Sequence, residues 1–277
     1  MRFSKMHGAG NDYVYVDVTK RPLRGDAAAL ARAISDRRTG VGSDGLILIA
    51  KSARQDFRMI MYNADGSEGE MCGNGIRCIA KYVVDHGLTK KRKLTIETKG
   101  GAVGVEVHPA RGPVDSVTVA MGPPRPIPKS FHVSSDGRRR LLPVHVQAGD
   151  RTFDGTMVSM GNPHCVIEVD DVEHFPVQMM GQLIEHHPDF PSRVNVEFVQ
   201  VLARDRVRQR TWERGSGETH ACGSGACAVG AALHAGGRTA EQVAIQLVGG
   251  VLEIRVASGG HLFMTGPAVE VFEGTWS

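Results

Sequence analysis

Two short cysteine-containing segments carry the residue types best suited to chemistry. Cys72 lies in the sequence Glu-Met-Cys-Gly-Asn-Gly, and Cys222 lies in the similar sequence His-Ala-Cys-Gly-Ser-Gly, 150 residues later. The glycine-rich turn in each segment is expected to begin a helix, whose unpaired N–H groups and positive dipole end favour a thiolate. A thiol pKa of about 8.5 can therefore fall toward neutrality at such a position. Both cysteines are candidates for proton transfer.

A matched pair of thiols suits the inversion of a carbon stereocentre. One group must remove a proton from one face of the carbon, and the other must deliver a proton to the opposite face. Proton transfer by a positioned group contributes about 10²–10⁴-fold in rate. N–H groups at the helix ends can bind a substrate carboxylate and stabilise the carbanion-like transition state. The pair therefore predicts an amino-acid epimerase that needs neither a cofactor nor a metal ion.

The residues around the two cysteines indicate an internal duplication. Tyr62 aligns with Trp212 at the offset of the cysteines, and the segment 100–107 aligns with 249–256 at an offset one residue shorter. Two similar motifs in a shared register are strong evidence of a repeat. We therefore expect two α+β domains of similar fold, related by a pseudo-twofold axis, with the active site in the cleft between them.

The elements that must position the cysteines follow the same repeat. β-rich runs lead into each motif, and a helix that is stopped by glycine follows it. Another helix is expected earlier in each half. The predicted ranges are 56–62 and 206–212 for the strands, 75–86 and 225–235 for the helices after the motifs, and 26–37 and 177–187 for the earlier helices.

A proline-rich stretch over residues 122–128 interrupts the pattern and predicts the domain linker. The last strand, 269–272, is expected to return to the first domain. The predicted domains are residues 1–120 with 267–277, which carry Cys72, and residues 121–266, which carry Cys222.

Composition argues against several classes of protein. The net charge is +3 and aromatic residues make up 5%, so neither a basic surface nor a base-stacking surface for nucleic acid is expected. No apolar run approaches the ~20 residues of a membrane span. Five cysteines, an odd number, and an N-terminus without an apolar signal region favour reduced thiols in the cytoplasm.

A structural or metal-binding role is the alternative for any single cysteine. We assign a buried structural role to Cys78, Cys165 and Cys227, which lie among apolar residues. The spacings of Cys72 to Cys78 and of Cys222 to Cys227 do not match those of structural zinc sites. A redox-sensing or zinc-binding thiol protein without turnover is the alternative from another class. It predicts bound metal or a reversible Cys72–Cys222 disulfide.

Along essentially its whole length, the sequence resembles the diaminopimelate epimerase family. The segments that carry the resemblance are Met6–Asp12, Asn63–Ser67, Cys72–Cys78, Gly161–Cys165, Asn195–Phe198, Glu213–Gly215 and Glu218–Ala226. The resemblance implies two domains that are each a mostly antiparallel sheet wrapped around a central helix. It implies interconversion of L,L- and meso-2,6-diaminopimelate, on the route to lysine and peptidoglycan precursors. Proline racemases and phenazine-pathway isomerases share this fold.

The resemblance also implies a role for each residue of the site. Cys72 and Cys222 are the acid/base pair, and His164 and Glu213 resemble residues that tune the cysteines. An arginine such as Arg214 can hold the remote carboxylate of a small amino-acid substrate with two hydrogen bonds. The implied substrate-binding residues are Asn11, Asn63, Gly73, Asn74, Asn162, Asn195, Glu213, Arg214, Gly223 and Ser224.

Two positions depart from the family pattern. Gly45 stands where some relatives carry a glutamine that contacts substrate, so Gly45 is left out of the predicted site. Phe272 stands where a tyrosine helps some relatives to dimerise, and a homodimer is still expected. The nearest rival function is a sister epimerase for hydroxyproline or histidine. Such substrates would leave Glu213 and Arg214 without a partner, which is unfavourable.

Overall fold

The computed structural model describes residues 1–109, 112–129 and 138–277. The chain divides into two compact units, each with its own core. The N-terminal unit comprises residues 1–120 and 265–277, and the C-terminal unit comprises residues 121–264.

The first half of the chain contains eight strands and two helices among its described residues. They are β1 (Arg2–Gly8), β2 (Asn11–Asp17), α1 (Ala27–Ser35), β3 (Gly45–Ala50), β4 (Phe57–Asn63), β5 (Glu68–Gly69), α2 (Gly73–Asp85), β6 (Lys93–Thr98), β7 (Gly101–Pro109) and β8 (Val114–Gly122).

The second half repeats this order of elements, with one more strand before its first helix and one more after its second helix. They are β9 (Leu141–Ala148), β10 (Arg151–Ser159), β11 (Pro163–Glu168), α3 (Val177–Glu185), β12 (Asn195–Ala203), β13 (Arg206–Glu213), β14 (Gly217–Thr219), α4 (Gly223–Ala235), β15 (Gln242–Leu247), β16 (Gly250–Val256), β17 (Leu262–Pro267) and β18 (Val269–Thr275).

Strand pairing is the same in the two units. In the N-terminal unit β2 and β3 run parallel, β3 and β4 antiparallel, β4 and β6 parallel, and β6 and β7 antiparallel. In the C-terminal unit the same sequence of pairings joins β11, β12, β13, β15 and β16. The internal duplication is therefore visible in the topology. The last strand, β18, pairs antiparallel with β1.

A central helix packs on the sheet of each unit. Helix α2 contacts β1, β2, β7 and β18, and α4 contacts β10, β11, β12, β15 and β16. Helix α4 is rich in alanine and glycine, and it is buried on nearly every side. At Gly230 a Cβ atom would lie 2.6 Å from Ile254 Cγ2, so a small residue is needed for the close approach of α4 to β16. The expected fold class, α+β with a central helix in each half, is confirmed.

Both central helices begin two residues earlier than predicted, at Gly73 and Gly223. The reason is that each cysteine is itself the N-cap. Its backbone is extended, and its Sγ accepts a hydrogen bond from the N–H group three residues later. Serine, threonine and asparagine side chains cap helices in the same way.

None of the helices in the described part of the chain has the length and apolarity that crossing a bilayer requires.

Candidate active site

Cys72 lies at the junction of a short loop and α2, where it contacts a residue of β2. Its half-buried Sγ accepts a hydrogen bond from Gly75 N at 3.3 Å and donates one to Asn11 Oδ1 at 3.3 Å. Asn74 Nδ2 donates to the same Asn11 oxygen, also at 3.3 Å. Three predicted site residues are therefore joined here, and Gly73 is the first residue of the helix.

Cys222 occupies the equivalent place in the C-terminal unit but is more deeply buried, with 6% exposure. Its Sγ accepts from Gly225 N at 3.3 Å and lies 3.5 Å from Ser224 Oγ. Burial raises the pKa of this thiol, the charges of Glu213 and Glu197 raise it further, and the contacts with Ser224 and Gly225 only partly oppose them.

The expectation of a lowered thiol pKa is therefore wrong for Cys222. A helix N-terminus stabilises an anion by about 0.3–1 kcal/mol at exposed sites. The loss of water around a buried anion, with two carboxylates nearby, outweighs that amount. Burial and the nearby carboxylates therefore favour the thiol form of Cys222 over the thiolate.

A buried pair of side chains lies beside Cys222. His164 on β11 and Glu197 on β12 are both fully buried, and His164 Nδ1 lies 2.8 Å from Glu197 Oε1. The other ring nitrogen, Nε2, lies 3.0 Å from Asn162 Oδ1. Asn162 Nδ2 in turn donates to Ser224 Oγ at 3.4 Å. A chain of polar contacts thus leads from Glu197 to the residue that touches the Cys222 thiol.

Glu213 is the last residue of β13 and Arg214 follows it, and both are hydrogen-bonded to polar side chains. Arg214 N donates to Asn195 Oδ1 at 2.9 Å, and Asn195 Nδ2 donates to Pro163 O at 3.0 Å. Thr219 Oγ1 donates to Glu213 Oε1 at 2.5 Å. The parallel pairing of His164 with Asn195 brings these residues to the same end of the sheet as the histidine.

The structure thus groups most of the predicted residues by unit. Asn11, Gly73 and Asn74 surround Cys72. Asn63 ends β4, where its Nδ2 donates to Ser67 Oγ at 2.9 Å. The residues grouped around Cys222 are Asn162, His164, Asn195, Glu213, Arg214, Gly223 and Ser224.

Two acidic residues near the cysteines were missed in the sequence, Glu197 and Asp44. Glu197 stands between Val196 and Phe198 in a strand whose flanking residues are buried and apolar. An acidic residue at such a position is unusual, because an unpaired buried charge is costly, and this was the available signal. Asp44 directly precedes Gly45 in a glycine-rich segment, and no local pattern there indicates its contact with Asn11.

Two groups of side chains in the described residues could hold a metal ion. His164, Glu197 and Cys222 offer donor atoms within 4.8 Å of one another, as do His86, Glu270 and Glu273 on the N-terminal unit. In each group the histidine lies within hydrogen-bonding distance of a glutamate oxygen, 2.8 Å in the first and 3.1 Å in the second. These contacts account for the clustering of the side chains without an ion.

The other three cysteines are fully buried. Burial raises the pKa of the Cys78 thiol to about 11, and it raises the pKa of Cys165 further above its ordinary value. Because the thiolate is the reactive form, these thiols are inert near neutral pH. This agrees with the structural role that we assigned to them.

We expect Cys222 to react with iodoacetamide only at alkaline pH, because its pKa lies above the value near 9 of an ordinary cysteine thiol. Replacement Glu213→Gln removes a nearby negative charge, so the onset of labelling should move to lower pH. Mass spectrometry of the peptide that contains residue 222 measures the rate. Glu218→Gln is the control, because Glu218 is paired with Arg210 at 2.7 Å and does not contribute to the Cys222 shift. An unchanged onset in Glu213→Gln would contradict the electrostatic explanation.

The structure explains why residue 45 is a glycine. It is buried at the start of β3, and a Cβ atom there would lie 2.1 Å from the carbonyl oxygen of Tyr62 and 2.8 Å from Tyr13 Cε1. The carbonyl belongs to the neighbouring strand, so it cannot move without shifting β4. A glutamine side chain does not fit this backbone.

We expect Gly45→Ala to lower the free energy of unfolding by about 1–3 kcal/mol, the usual range for overpacking. Gly104→Ala is a matched control on β7, where the nearest atom to a new Cβ lies at 3.8 Å. Urea unfolding followed by circular dichroism compares the two variants. Equal stability of both would show that the strands yield to the added methyl group.

Comparison with known proteins places these features in context. The family model for diaminopimelate epimerase matches residues 3–127 and 156–271. A diaminopimelate epimerase from Leptospira biflexa is 49% identical over 275 residues, covering 99% of this chain and 98% of the relative. One from Methanococcus maripaludis is 44% identical and covers 99% of each chain.

Solved structures with much lower identity share the fold. A hydroxyproline epimerase from Agrobacterium vitis has a TM-score of 0.67 at 19% identity, covering 99% of this chain and 91% of its own. A phenazine biosynthesis protein of the PhzF family from Bacillus anthracis has a TM-score of 0.70 at 15% identity, covering 99% and 98%. At these identities the likeness concerns the fold alone, and it agrees with the expected fold class.

Proposed function

Because the chain belongs to the diaminopimelate epimerase family, we propose that it interconverts L,L- and meso-2,6-diaminopimelate without a cofactor. The observation that carries the proposal is the N-cap cysteine at both central helices, in a chain 49% identical to a named epimerase. The reaction breaks and re-forms the C–H bond at the α-carbon, so it needs two acid/base groups and no redox step. Cys72 and Cys222 are the proposed groups.

The two thiols exchange roles with the direction of the reaction. In one direction a thiolate removes the α-proton, while the other cysteine delivers its thiol proton to the opposite face of the carbanion. The raised pKa of Cys222 favours its protonated form, which is the form that delivers a proton when Cys72 is the base. After one turnover the protonation states are reversed, and the products of one direction are the substrates of the other. No atom of the enzyme is consumed.

Backbone N–H groups at the starts of α2 and α4 are the proposed ligands of the reacting carboxylate, into which the carbanion charge spreads. Gly73, Asn74, Gly223 and Ser224 occupy the first turns of these helices. Backbone N–H groups at helix N-termini bind anions, and these hydrogen bonds become stronger as negative charge develops in the transition state. These hydrogen bonds stabilise the charge of the transition state, which proton transfer alone does not do.

The remote amino-acid end of the substrate is proposed to bind the polar residues Asn11, Asn63, Asn162, Asn195, Glu213 and Arg214. An arginine can hold a carboxylate through two parallel hydrogen bonds, and a glutamate can accept hydrogen bonds from an ammonium group. Holding the remote end orients the substrate, so only one stereocentre is presented for reaction. Glu213 also acts on the Cys222 thiol through its charge.

His164 is proposed to tune the cysteine chemistry through its neighbours. Its Nε2 is hydrogen-bonded to Asn162 Oδ1, and Asn162 Nδ2 donates to the Ser224 hydroxyl, which lies beside the Cys222 thiol. We further propose that the enzyme acts in the cytoplasm as a homodimer, in lysine and peptidoglycan precursor synthesis.

Incubation with L,L-diaminopimelate in heavy water tests the proposal. We expect the α-proton signal to disappear from the NMR spectrum as the meso form appears, with no added cofactor and with a chelator present. Trans-4-hydroxy-L-proline and L-histidine are the comparison substrates, and neither should exchange. Exchange with one of these but not with diaminopimelate would replace the proposal with the sister epimerase. Exchange with none of them would overturn the enzymatic role.

A further inference from the structure

Asp44 lies in the glycine-rich segment that precedes β3, and the Asn11 side chain links it to Cys72. Its Oδ2 accepts hydrogen bonds from Asn11 Nδ2 at 2.7 Å and from Asp12 N at 3.1 Å. Its Oδ1 accepts from Arg37 Nη2 at 2.9 Å. All these contacts lie within the N-terminal unit, and they use both oxygens of the carboxylate.

The chemistry of a carboxylate determines how the Asn11 amide is turned. A carboxylate only accepts hydrogen bonds, so the Asn11 atom that faces it must be the NH₂ group. The Asn11 oxygen then faces the other way, where it accepts from Cys72 Sγ and from Asn74 Nδ2, each at 3.3 Å. Turning the amide over would place its oxygen against the carboxylate of Asp44, which is repulsive.

The orientation of Asn11 matters for the thiol that it contacts. A carbonyl oxygen accepts a hydrogen bond from S–H but repels S⁻, whereas an NH₂ group would donate to S⁻ and stabilise it. A more basic thiolate is a better base toward a weak carbon acid. An oxygen facing Cys72 therefore favours the protonated thiol at rest and a stronger base during turnover.

We propose that Asp44 is a positioning residue of the epimerase reaction, which turns the Asn11 oxygen toward Cys72 and so favours the thiol over the thiolate. The role in catalysis rests on the proposed function of the protein. The orientation of Asn11 and its effect on the thiol do not.

The other titratable groups near Cys72 comprise buried hydroxyl and thiol groups and a cluster of charged side chains. Burial raises the pKa of Tyr13 and of Tyr15 on β2, and it raises the pKa of Cys78 on α2 to about 11. Burial opposes ionisation of Asp12, but hydrogen bonds from Arg37 and Lys5 outweigh it and lower its pKa. The charged members of the cluster are Asp12, Asp44, Lys5 and Arg37.

Replacement Asp44→Asn tests the inference. The pH dependence of Cys72 alkylation by iodoacetamide, followed on the peptide that contains residue 72, measures the ionisation of the Cys72 thiol. This measurement does not require turnover of a substrate. We expect the midpoint to move about one pH unit lower, which is about tenfold faster labelling at pH 7. At a pH above the midpoint, where Cys72 is fully ionised in both proteins, kcat for diaminopimelate should fall by a factor of up to about ten, because the thiolate of the variant is a weaker base. Asp44 is half-exposed, and circular dichroism checks that the variant folds.

A double-mutant cycle separates orientation from the mere loss of a negative charge. Asn11→Ala removes the oxygen but keeps the Asp44 charge, and it should also lower the midpoint. Adding Asp44→Asn to Asn11→Ala should then change little, because the amide that Asp44 orients is gone. If Asp44→Asn lowers the midpoint equally with and without Asn11, the effect is that of charge alone and the inference is wrong.

Arg37→Gln is the matched control. It removes the Arg37 contacts to Asp12 and Asp44 but leaves the bond from Asn11 to Asp44. We expect no acid shift of the Cys72 midpoint in this variant. An acid shift equal to that of Asp44→Asn would overturn the inference. If diaminopimelate is not turned over but the alkylation shifts appear, only the proposed function fails.

Discussion

Epimerisation of diaminopimelate is expected to fall by about 10²–10⁴-fold when either Cys72 or Cys222 is replaced by serine, because that is what a positioned proton donor or acceptor contributes. A serine hydroxyl is far too weak an acid to exchange a proton at neutral pH. Serine is, however, among the preferred N-cap residues, so the hydrogen bond from the N–H three residues later is kept. The loss of activity should therefore appear without a loss of stability.

Solvent deuterium incorporation and chemical interconversion measure the loss, and thermal unfolding measures stability. Replacement by alanine gives the same loss of activity but should lower the stability by about 1 kcal/mol, because the cap is lost as well. Cys227→Ala is the control on the same helix as Cys222, and its activity should be kept. Full activity in either serine variant would refute the two-thiol mechanism.

The second large effect is expected from the buried pair of His164 and Glu197. Replacement His164→Leu leaves the Glu197 carboxylate buried without its partner, at a cost of about 3–5 kcal/mol in the free energy of unfolding. Glu197→Leu should cost less, because it removes the buried acidic group itself and leaves His164 its contact with Asn162 Oδ1. The double variant should recover much of the loss, since an apolar pair can replace a buried polar pair at little cost.

Urea unfolding of the single and double variants measures these differences. The exposed ion pair of Arg208 with Glu173, 2.6 Å apart, provides the control. Arg208→Leu should cost no more than about 1 kcal/mol. A double variant as unstable as the sum of its parts would show that the two side chains stabilise the unit independently. The interaction between His164 and Glu197 would then not contribute to stability.

Local sequence features were enough to predict the architecture and the two cysteines. The strand and helix periodicities, the glycine-rich turns and the duplicated motif each involve residues close together in the chain. The helices after the motifs were predicted to within two residues, and the error arose because a cysteine was not considered as an N-cap. Hydrogen bonds of this kind join neighbours in sequence, which is why a pattern can report them.

The acidity of the thiols was decided by contacts between residues far apart in the chain. The sequence places Cys222 at a helix N-terminus and so predicts an easily formed thiolate. The structure adds burial and the charge of Glu197, which reaches the site through the parallel pairing of β11 with β12. Desolvation depends on everything packed around an atom, and no local pattern contains that information.

The same distinction holds at Asn11 and Gly45. The sequence identifies Asn11 as a polar residue of the predicted site, but only the fold brings Asp44 against its NH₂ group and Cys72 against its oxygen. Gly45 was recognised as a departure from relatives, and its cause, the carbonyl of Tyr62 on the next strand, lies in the packing. The sequence by itself determined which groups could carry out the chemistry. The tertiary structure decided how each is oriented and charged, because both depend on neighbours that only folding brings together.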